Sequence, residues 1–353
     1  MSGRDVAGAT PPVTLEHSLG AGRGPSPRPA ACTIGVFDGV HRGHQRLLAA
    51  TVAAAREIGG IAVAVTFEPH PRAVLDPANV PAELTTLDEK RERLIAAGID
   101  RVVVVNFTRE VSQWSAEQFC ERLLDRFDLR RLVVGPGFAL GRARRGDIDF
   151  LRRFGAGHGF TVETVETVAE EGDPISSTRI RSALVSGDVR EAARLLGHPY
   201  FMDGTVERGN RVGWRLGFPT ANLSVEPGKC LPELGIYSTW IHAREAWRPA
   251  ASSIGYRPTF GGDRLTVEAH LLDFEGDLYG ERVRLAFIDR LREERWYPDE
   301  AALIAQMRLD VAETRRLLEK AAPPAELWRA AIEPARTPRP RPERSATRRN
   351  PHR

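Results

Sequence analysis

The chain holds only three cysteines, Cys32, Cys120 and Cys230, among 353 residues. An odd and scattered set of that size excludes a disulfide framework and every four-thiolate zinc site. Lysine is equally scarce: of 50 basic residues only Lys90, Lys229 and Lys320 are lysines. None lies in a G-x-x-x-x-G-K-[ST] setting, so a Walker-type phosphate loop is excluded. No apolar run approaches the roughly 18 residues of a membrane span. The first thirty residues mix Gly, Pro, Ala and Ser without the apolar stretch of a secretory signal. These absences lead us to expect a cytoplasmic protein with no membrane partner.

A large excess of one charge is missing too. The net charge is +3, and Arg336–Arg353 carries seven arginines against the single acid Glu343. Residues 1–335 are therefore slightly acidic. Phosphate attraction would suit that tail to nucleic acid. A disordered Pro/Arg-rich terminus without a partner explains it more simply, so no nucleic-acid partner is expected. What remains is ordinary for a globular chain, 42% hydrophobic and 27% charged. At roughly 150 residues per domain, the length suggests two domains.

The first half alternates apolar strands with amphipathic helices. CTIGVF (Cys32–Phe37), IAVAVTF (Ile61–Phe67), RVVVVNF (Arg101–Phe107), RLVVG (Arg131–Gly135) and FTVETV (Phe160–Val165) read as strands. Gly43–Ile58, Asp88–Gly98 and Ser115–Phe127 read as helices, the last with Ser115 as N-cap and Gln118 three residues on. This rhythm predicts a parallel α/β sheet. After Leu196 short alternating segments rich in β-branched and aromatic residues predict a small antiparallel β-barrel, closed by a helix over 299–320. We expect a loose arm over 1–30, an α/β domain over 31–198, a barrel domain over 199–322 and a disordered tail over 323–353. No oligomeric state follows from the sequence.

Two motifs carry chemistry. In GVFDGVHRGH (Gly35–His44) a strand gives way to a tight Asp38-Gly39 turn, and a helix begins near His41. Gly39 and Gly43 let backbone approach a ligand, and a helix N-terminus offers free amides to phosphate. His41 and His44, three apart, would face one side and donate hydrogen bonds to charge developing in phosphoryl or nucleotidyl transfer. The alternatives are a metal pair, which lacks further ligands at suitable spacing, or two surface histidines. In ISSTRIRSAL (Ile175–Leu184) the hydroxyls of Ser176, Ser177 and Thr178 can cap a helix. Arg179 and Arg181 then stand in its first turn, where cations oppose the helix dipole unless an anion is present. That misfit favours a phosphate gripped by hydroxyls, amides and Arg181.

GVFDGVHRGH, TFEPHP (Thr66–Pro71) and ISSTRIR together resemble the adenylyltransferase module of prokaryotic bifunctional riboflavin kinase/FMN adenylyltransferases, also called FAD synthetases. GNRVGWRLGFPTANL (Gly209–Leu223), LPELGIY (Leu231–Tyr237), SIGYRPTF (Ser253–Phe260), VEAHLLDFEGDLYG (Val267–Gly280) and LREERWY (Leu291–Tyr297) resemble the riboflavin kinase module. The likeness runs from about Thr33 to Leu318. It implies a Rossmann-like nucleotidyltransferase domain followed by a six-stranded barrel. The implied reactions are phosphorylation of riboflavin to FMN by ATP, then adenylylation of FMN to FAD with release of pyrophosphate.

Roles follow from the resemblance residue by residue. Gly35, Phe37, Asp38, Gly39, Gly43, Ser177 and Thr178 would bind ATP for adenylyl transfer, with His41, His44 and Arg181 stabilising charge. Gly209, Gly213 and Gly217 would wrap a second ATP, although three glycines are also consistent with plain turns. Thr220 and Asn222 offer oxygen donors to Mg²⁺, and Glu268 would be the kinase general base. Phe138 and His70 are flavin-pocket candidates; a histidine between two prolines also serves as a loop stiffener. Arg292 would touch flavin or phosphate, or be a solvated arginine. Two other readings are a flavin-binding protein that keeps only the kinase activity and a nucleotidyltransferase for another small phosphate ester. One departure stands out. GPGFALG (Gly135–Gly141) places Gly137 before Phe138 and Ala139-Leu140 after it, where many relatives carry a polar residue and Arg-Phe.

Overall fold

The computed structural model of the protein describes residues 14–16, 26–209, 212–259 and 262–324. In the first half, β1 (Thr14–Glu16), β2 (Ser26–Ile34), β3 (Ile61–Glu68), β4 (Arg101–Asn106), β5 (Phe127–Val134) and β6 (Thr161–Thr164) form one sheet ordered β1-β4-β3-β2-β5-β6. Every pairing in it is parallel. Between strands run α1 (Arg42–Glu57), α2 (Pro71–Leu75), α3 (Leu87–Ala96), α4 (Ala116–Arg126) and α5 (Ile148–His158). With helices on both faces the central strands are apolar throughout, as the run of six buried residues in β3 illustrates. Two apolar clusters result, one holding Val63, Phe119 and Leu151, the other Ala62, Leu48 and Leu94.

From β2 the chain moves outward through β3 and β4, then returns to the other side of β2 as β5. The direction of winding therefore reverses between β2 and β5. In open parallel sheets, ligands bind beyond the carboxyl ends of the strands at such a reversal. The residues that follow β2 are Gly35–His44.

A two-residue hairpin, β7 (Ala169–Glu170) with β8 (Asp173–Pro174), leads into α6 (Ser177–Val185) and α7 (Val189–Leu196). Next come β9 (Phe201–Glu207), the single turn α8 (Val212–Arg215), β10 (Ala221–Val225), β11 (Gly235–Ala243), β12 (Ala246–Thr259), β13 (Gly262–Leu271), β14 (Arg282–Arg292) and α9 (Glu300–Leu318). The six strands close an antiparallel barrel in the order β10-β13-β12-β11-β14-β9. Both the α/β and the barrel expectations are met.

Three details differ from the sequence reading. The strand expected to reach Phe37 stops at Ile34, because Phe37 takes a left-handed φ of 52° that a strand cannot accommodate. Part of the expected arm belongs to the sheet: Thr14–Glu16 pair with Arg101–Val103, and β2 starts at Ser26. Finally, α6 and α7 bury Ile180, Leu184, Val189 and Leu195 in the same apolar cluster as the barrel residues Tyr237, Ile254 and Phe287. Periodicity shows that a helix has an apolar face but not which neighbour covers it. The rest of the arm, and the tail from residue 325 on, lie outside the described residues.

Candidate active sites

The loop after β2 is held under strain. Phe37, Gly39 and Val40 have φ of 52°, 81° and 42°, and a β-branched residue such as Val40 rarely takes such a value. Gly39 suits this position, because its φ of 81° is one that residues with a side chain rarely adopt. Three hydrogen bonds to two other segments hold the loop in place. Asp38 Oδ1 accepts from the Thr85 amide at 3.0 Å, the Gly39 amide donates to Thr85 Oγ1 at 3.0 Å, and Ser177 Oγ donates to the Asp38 carbonyl at 2.9 Å.

His41 caps α1, its Nδ1 accepting from the His44 amide at 3.4 Å. The two rings stack with centroids 3.7 Å apart, and His44 meets Phe37 edge-on at 5.4 Å. Burial pushes the His41 pKa from 6.5 down to about 4, against the opposing pull of Asp38. Burial also holds His44 well below the usual imidazole range, helped by the charges of His41 and Lys90. Both rings are thus neutral near pH 7, which permits stacking that two cations would resist. A neutral ring that accepts at Nδ1 carries its proton on Nε2, leaving His41 a donor for an arriving anion. His44 Nδ1 is buried without a hydrogen-bond partner among the described residues.

α6 brings the second motif to the same place. Ser176 caps it, accepting from the Arg179 amide at 3.2 Å, and Thr178 is exposed. Arg181 donates to Asp38 Oδ2 and to the Ala82 carbonyl, both at 2.6 Å. Arg179 pairs with Glu191 at 2.8 Å. The protein itself therefore supplies anions to the two first-turn arginines. Asp38 is nine-tenths or more buried with both carboxylate oxygens engaged, so it shapes the loop and aims Arg181. Half-buried His70 caps α2 and accepts from the Arg72 amide at 3.1 Å. Burial lowers its pKa, and the fields of Asp38 and Arg181 reach it. Phe138 packs with the cluster of Phe119 and Leu151, on a different face from Phe37.

A second site lies in the barrel. β13 sets Glu268 opposite Asn222 of β10 on one side and Ser253 of β12 on the other. Its neighbours Val267 and Ala269 point into the core, as the two-residue period requires. Thr220 Oγ1 donates to Glu268 Oε2 at 3.0 Å. This pair borders a cavity of about 530 Å³ that also touches Gly213, Arg292, Trp296 and Tyr297. Thr220 also borders a cavity of about 760 Å³ lined by Gly209, Trp214, Asn222 and Tyr279. Gly209 lies directly against the Asn222 amide, where a side chain would collide, and Gly217 needs its φ of 85°.

Arg292 is not a freely solvated arginine: its Nε and Nη2 donate to Asp310 of α9 at 2.9 and 2.6 Å. Asp310, Glu294 and Tyr297 were not anticipated in this pocket. Burial raises the Glu294 pKa, and the charge of Glu268 adds to that effect. A charged stretch such as LREERWY gives no sign that one of its acids folds back over Gly255.

Two sites on two units agree with the matches to known proteins. The FAD synthetase family model matches residues 24–179 and the riboflavin kinase model residues 196–318. A bifunctional riboflavin kinase/FMN adenylyltransferase of Pseudomonas fluorescens is 40% identical over 295 residues, 83% of this chain and 94% of that protein. The one from Escherichia coli K12 is 36% identical over 280 residues, 79% of this chain and 89% of that protein. A solved structure of a protein described as a macrolide-efflux protein from Streptococcus pneumoniae superposes with a TM-score of 0.77 at 28% identity. It covers 86% of this chain and 98% of that one. Fold, paired sites and 36–40% identity over most of the chain agree: the chain belongs to the family of bifunctional riboflavin kinase/FMN adenylyltransferases.

Proposed function

We propose that the protein makes FAD in two steps, riboflavin kinase chemistry in the barrel followed by FMN adenylylation beside the His41–His44 pair. The observation that carries this reading is the Thr220–Glu268 hydrogen bond between two cavities. It sets a carboxylate where a hydroxyl substrate on one side can meet a nucleotide on the other. Glu268 takes the proton of the ribityl 5′-hydroxyl, whose oxygen bonds to the γ-phosphorus of ATP while the β–γ bridging bond breaks and ADP leaves. Thr220 holds the carboxylate oriented for that transfer. Arg292, fixed by Asp310, offers a positioned guanidinium at the rim.

Thr220 and Asn222 present a hydroxyl and an amide oxygen, hard donors that suit Mg²⁺. So sparse a set fits an ion held mainly by ATP phosphates, and Mg²⁺ when bound withdraws charge from them. In the second step the FMN phosphate attacks the α-phosphorus of another ATP and pyrophosphate departs. The nucleophile is already anionic, so no base is needed. His41 and His44 donate hydrogen bonds to the added charge, and Arg181 supplies a cation aimed by Asp38. Gly35, Phe37, Gly39, Gly43, Ser177 and Thr178 border the nucleotide, and His70 and Phe138 serve the flavin. The two modules divide near His198-Pro199, and the reactions take place in the cytoplasm.

Incubation with riboflavin, ATP and Mg²⁺, followed by chromatography, should yield FMN first and then FAD. Absence of either product would remove the corresponding half of the proposal.

A further inference from the structure

Lys90 lies in the second turn of α3, whose N-terminal cap, Thr86, follows Thr85, the residue bonded to Asp38 and Gly39. It is 3% exposed. Among the described residues its ammonium makes no hydrogen bond and no ion pair. The adjacent acid cannot serve it, because Glu89 is committed to Lys229, to the Thr86 amide at 2.9 Å and to the Asp203 amide at 2.9 Å. Lys229 shows what a satisfied buried lysine looks like here: it has Glu89 and the Leu84 carbonyl. A cation on a nearly buried side chain that lacks an ion-pair partner is costly, and so is a buried polar atom without a partner. The charge of Lys90 acts on His44, whose Nδ1 is buried without a hydrogen-bond partner among the described residues, on half-buried His70 and on the carboxylate of Glu83, with which it forms no ion pair.

We propose that Lys90 is an anion-binding catalytic residue of adenylyl transfer, its ammonium taking a phosphate oxygen beside His44 and His70. The assignment rests on the adenylyltransferase reading given above. As the FMN phosphate oxygen bonds to the α-phosphorus, the bond to the β-phosphate oxygen breaks and its electron pair leaves with pyrophosphate. Lys90 contributes positive charge to that redistribution and no proton.

The test compares the parent with Lys90→Met and Lys90→Arg. Thermal shifts are recorded with pyrophosphate alone and with FMN alone, alongside FAD formation from FMN and ATP. Riboflavin phosphorylation reports that each variant is folded. In Lys90→Met the thermal shift from one of the two anions should vanish, and adenylylation should fall about hundredfold, the scale for losing one aimed donor. Phosphorylation should stay within about twofold, and Lys90→Arg should recover part of the loss. Loss with pyrophosphate assigns Lys90 to the departing phosphates; loss with FMN assigns it to the flavin phosphate. Unchanged shifts with both anions, or unchanged adenylylation, would overturn the proposal. A parent that binds pyrophosphate through Lys90 but makes no FAD would refute the adenylyltransferase reading instead.

Discussion

The neutrality of His41 gives a pH dependence that can be calculated. Burial takes its pKa from 6.5 to about 4 in the folded protein. Because the folded value is depressed, the unfolded chain binds the proton more readily as pH falls. The stabilisation is therefore complete above pH 6.5 and is lost progressively as the pH drops toward 4. At about 1.36 kcal/mol per pH unit, the gap corresponds to about 3 kcal/mol. His41→Asn removes this titration and keeps a side-chain oxygen that can accept from the His44 amide, as an N-cap asparagine does. Urea unfolding of parent and variant between pH 7.5 and 4 would isolate the term, since the carboxylates titrate alike in both. The parent should lose about 3 kcal/mol more than the variant over this range. Saturating pyrophosphate should narrow the loss, because a bound anion favours the imidazolium. Parallel pH profiles for the two proteins would refute the claim that His41 is held neutral by burial.

Three further outcomes are expected. Glu268→Gln should abolish riboflavin phosphorylation yet leave adenylylation of supplied FMN within about twofold, since the two carboxylate-bearing sites sit on different units; assays with each flavin decide it. Lys229→Met leaves Glu89 buried and unpaired, which should cost about 3–5 kcal/mol, while Lys229→Met with Glu89→Gln together should cost clearly less than the sum of the two single changes in denaturation curves. Gly137 has open space where a Cβ would sit and no left-handed φ. Gly137→Asp should therefore fold normally and, by restoring a hydrogen bond to FMN, lower the FMN KM about tenfold or more; an unchanged KM would mean that the GPGFALG departure is silent.

The alternation of strands and helices, the switch to short antiparallel segments after Leu196 and the capping residues Ser115 and Ser176 were all legible in the sequence. They depend on local periodicity and on hydrogen bonds that close within a few residues. The His41–His44 pair was legible for the same reason, since a three-residue spacing at a helix start brings two rings to one side. Short-range patterns could not show what Asp38 does. It looked like a ligand-binding turn residue, yet Thr85 and Arg181, 47 and 143 positions away, occupy its oxygens. Arg179 and Arg181 looked short of an anion because the fold supplies one to each: Glu191 reaches Arg179 from the neighbouring α7, and Asp38 reaches Arg181 from the loop after β2.

Composition and periodicity thus determined the two architectures and which segments carry chemistry, because backbone pairing and amphipathic faces are properties of neighbouring residues. The tertiary structure alone decided which charges are paired. Lys90 and Lys229 both lie in polar stretches that any helix or loop would expose. Docking of α3 against the strained Asp38 loop and the barrel buries both. One of them pairs with Glu89, while the other forms no ion pair among the described residues and feels only the more distant charge of Glu83. Coulomb energies depend on distance in space and on exclusion of water, and neither quantity is written along the chain.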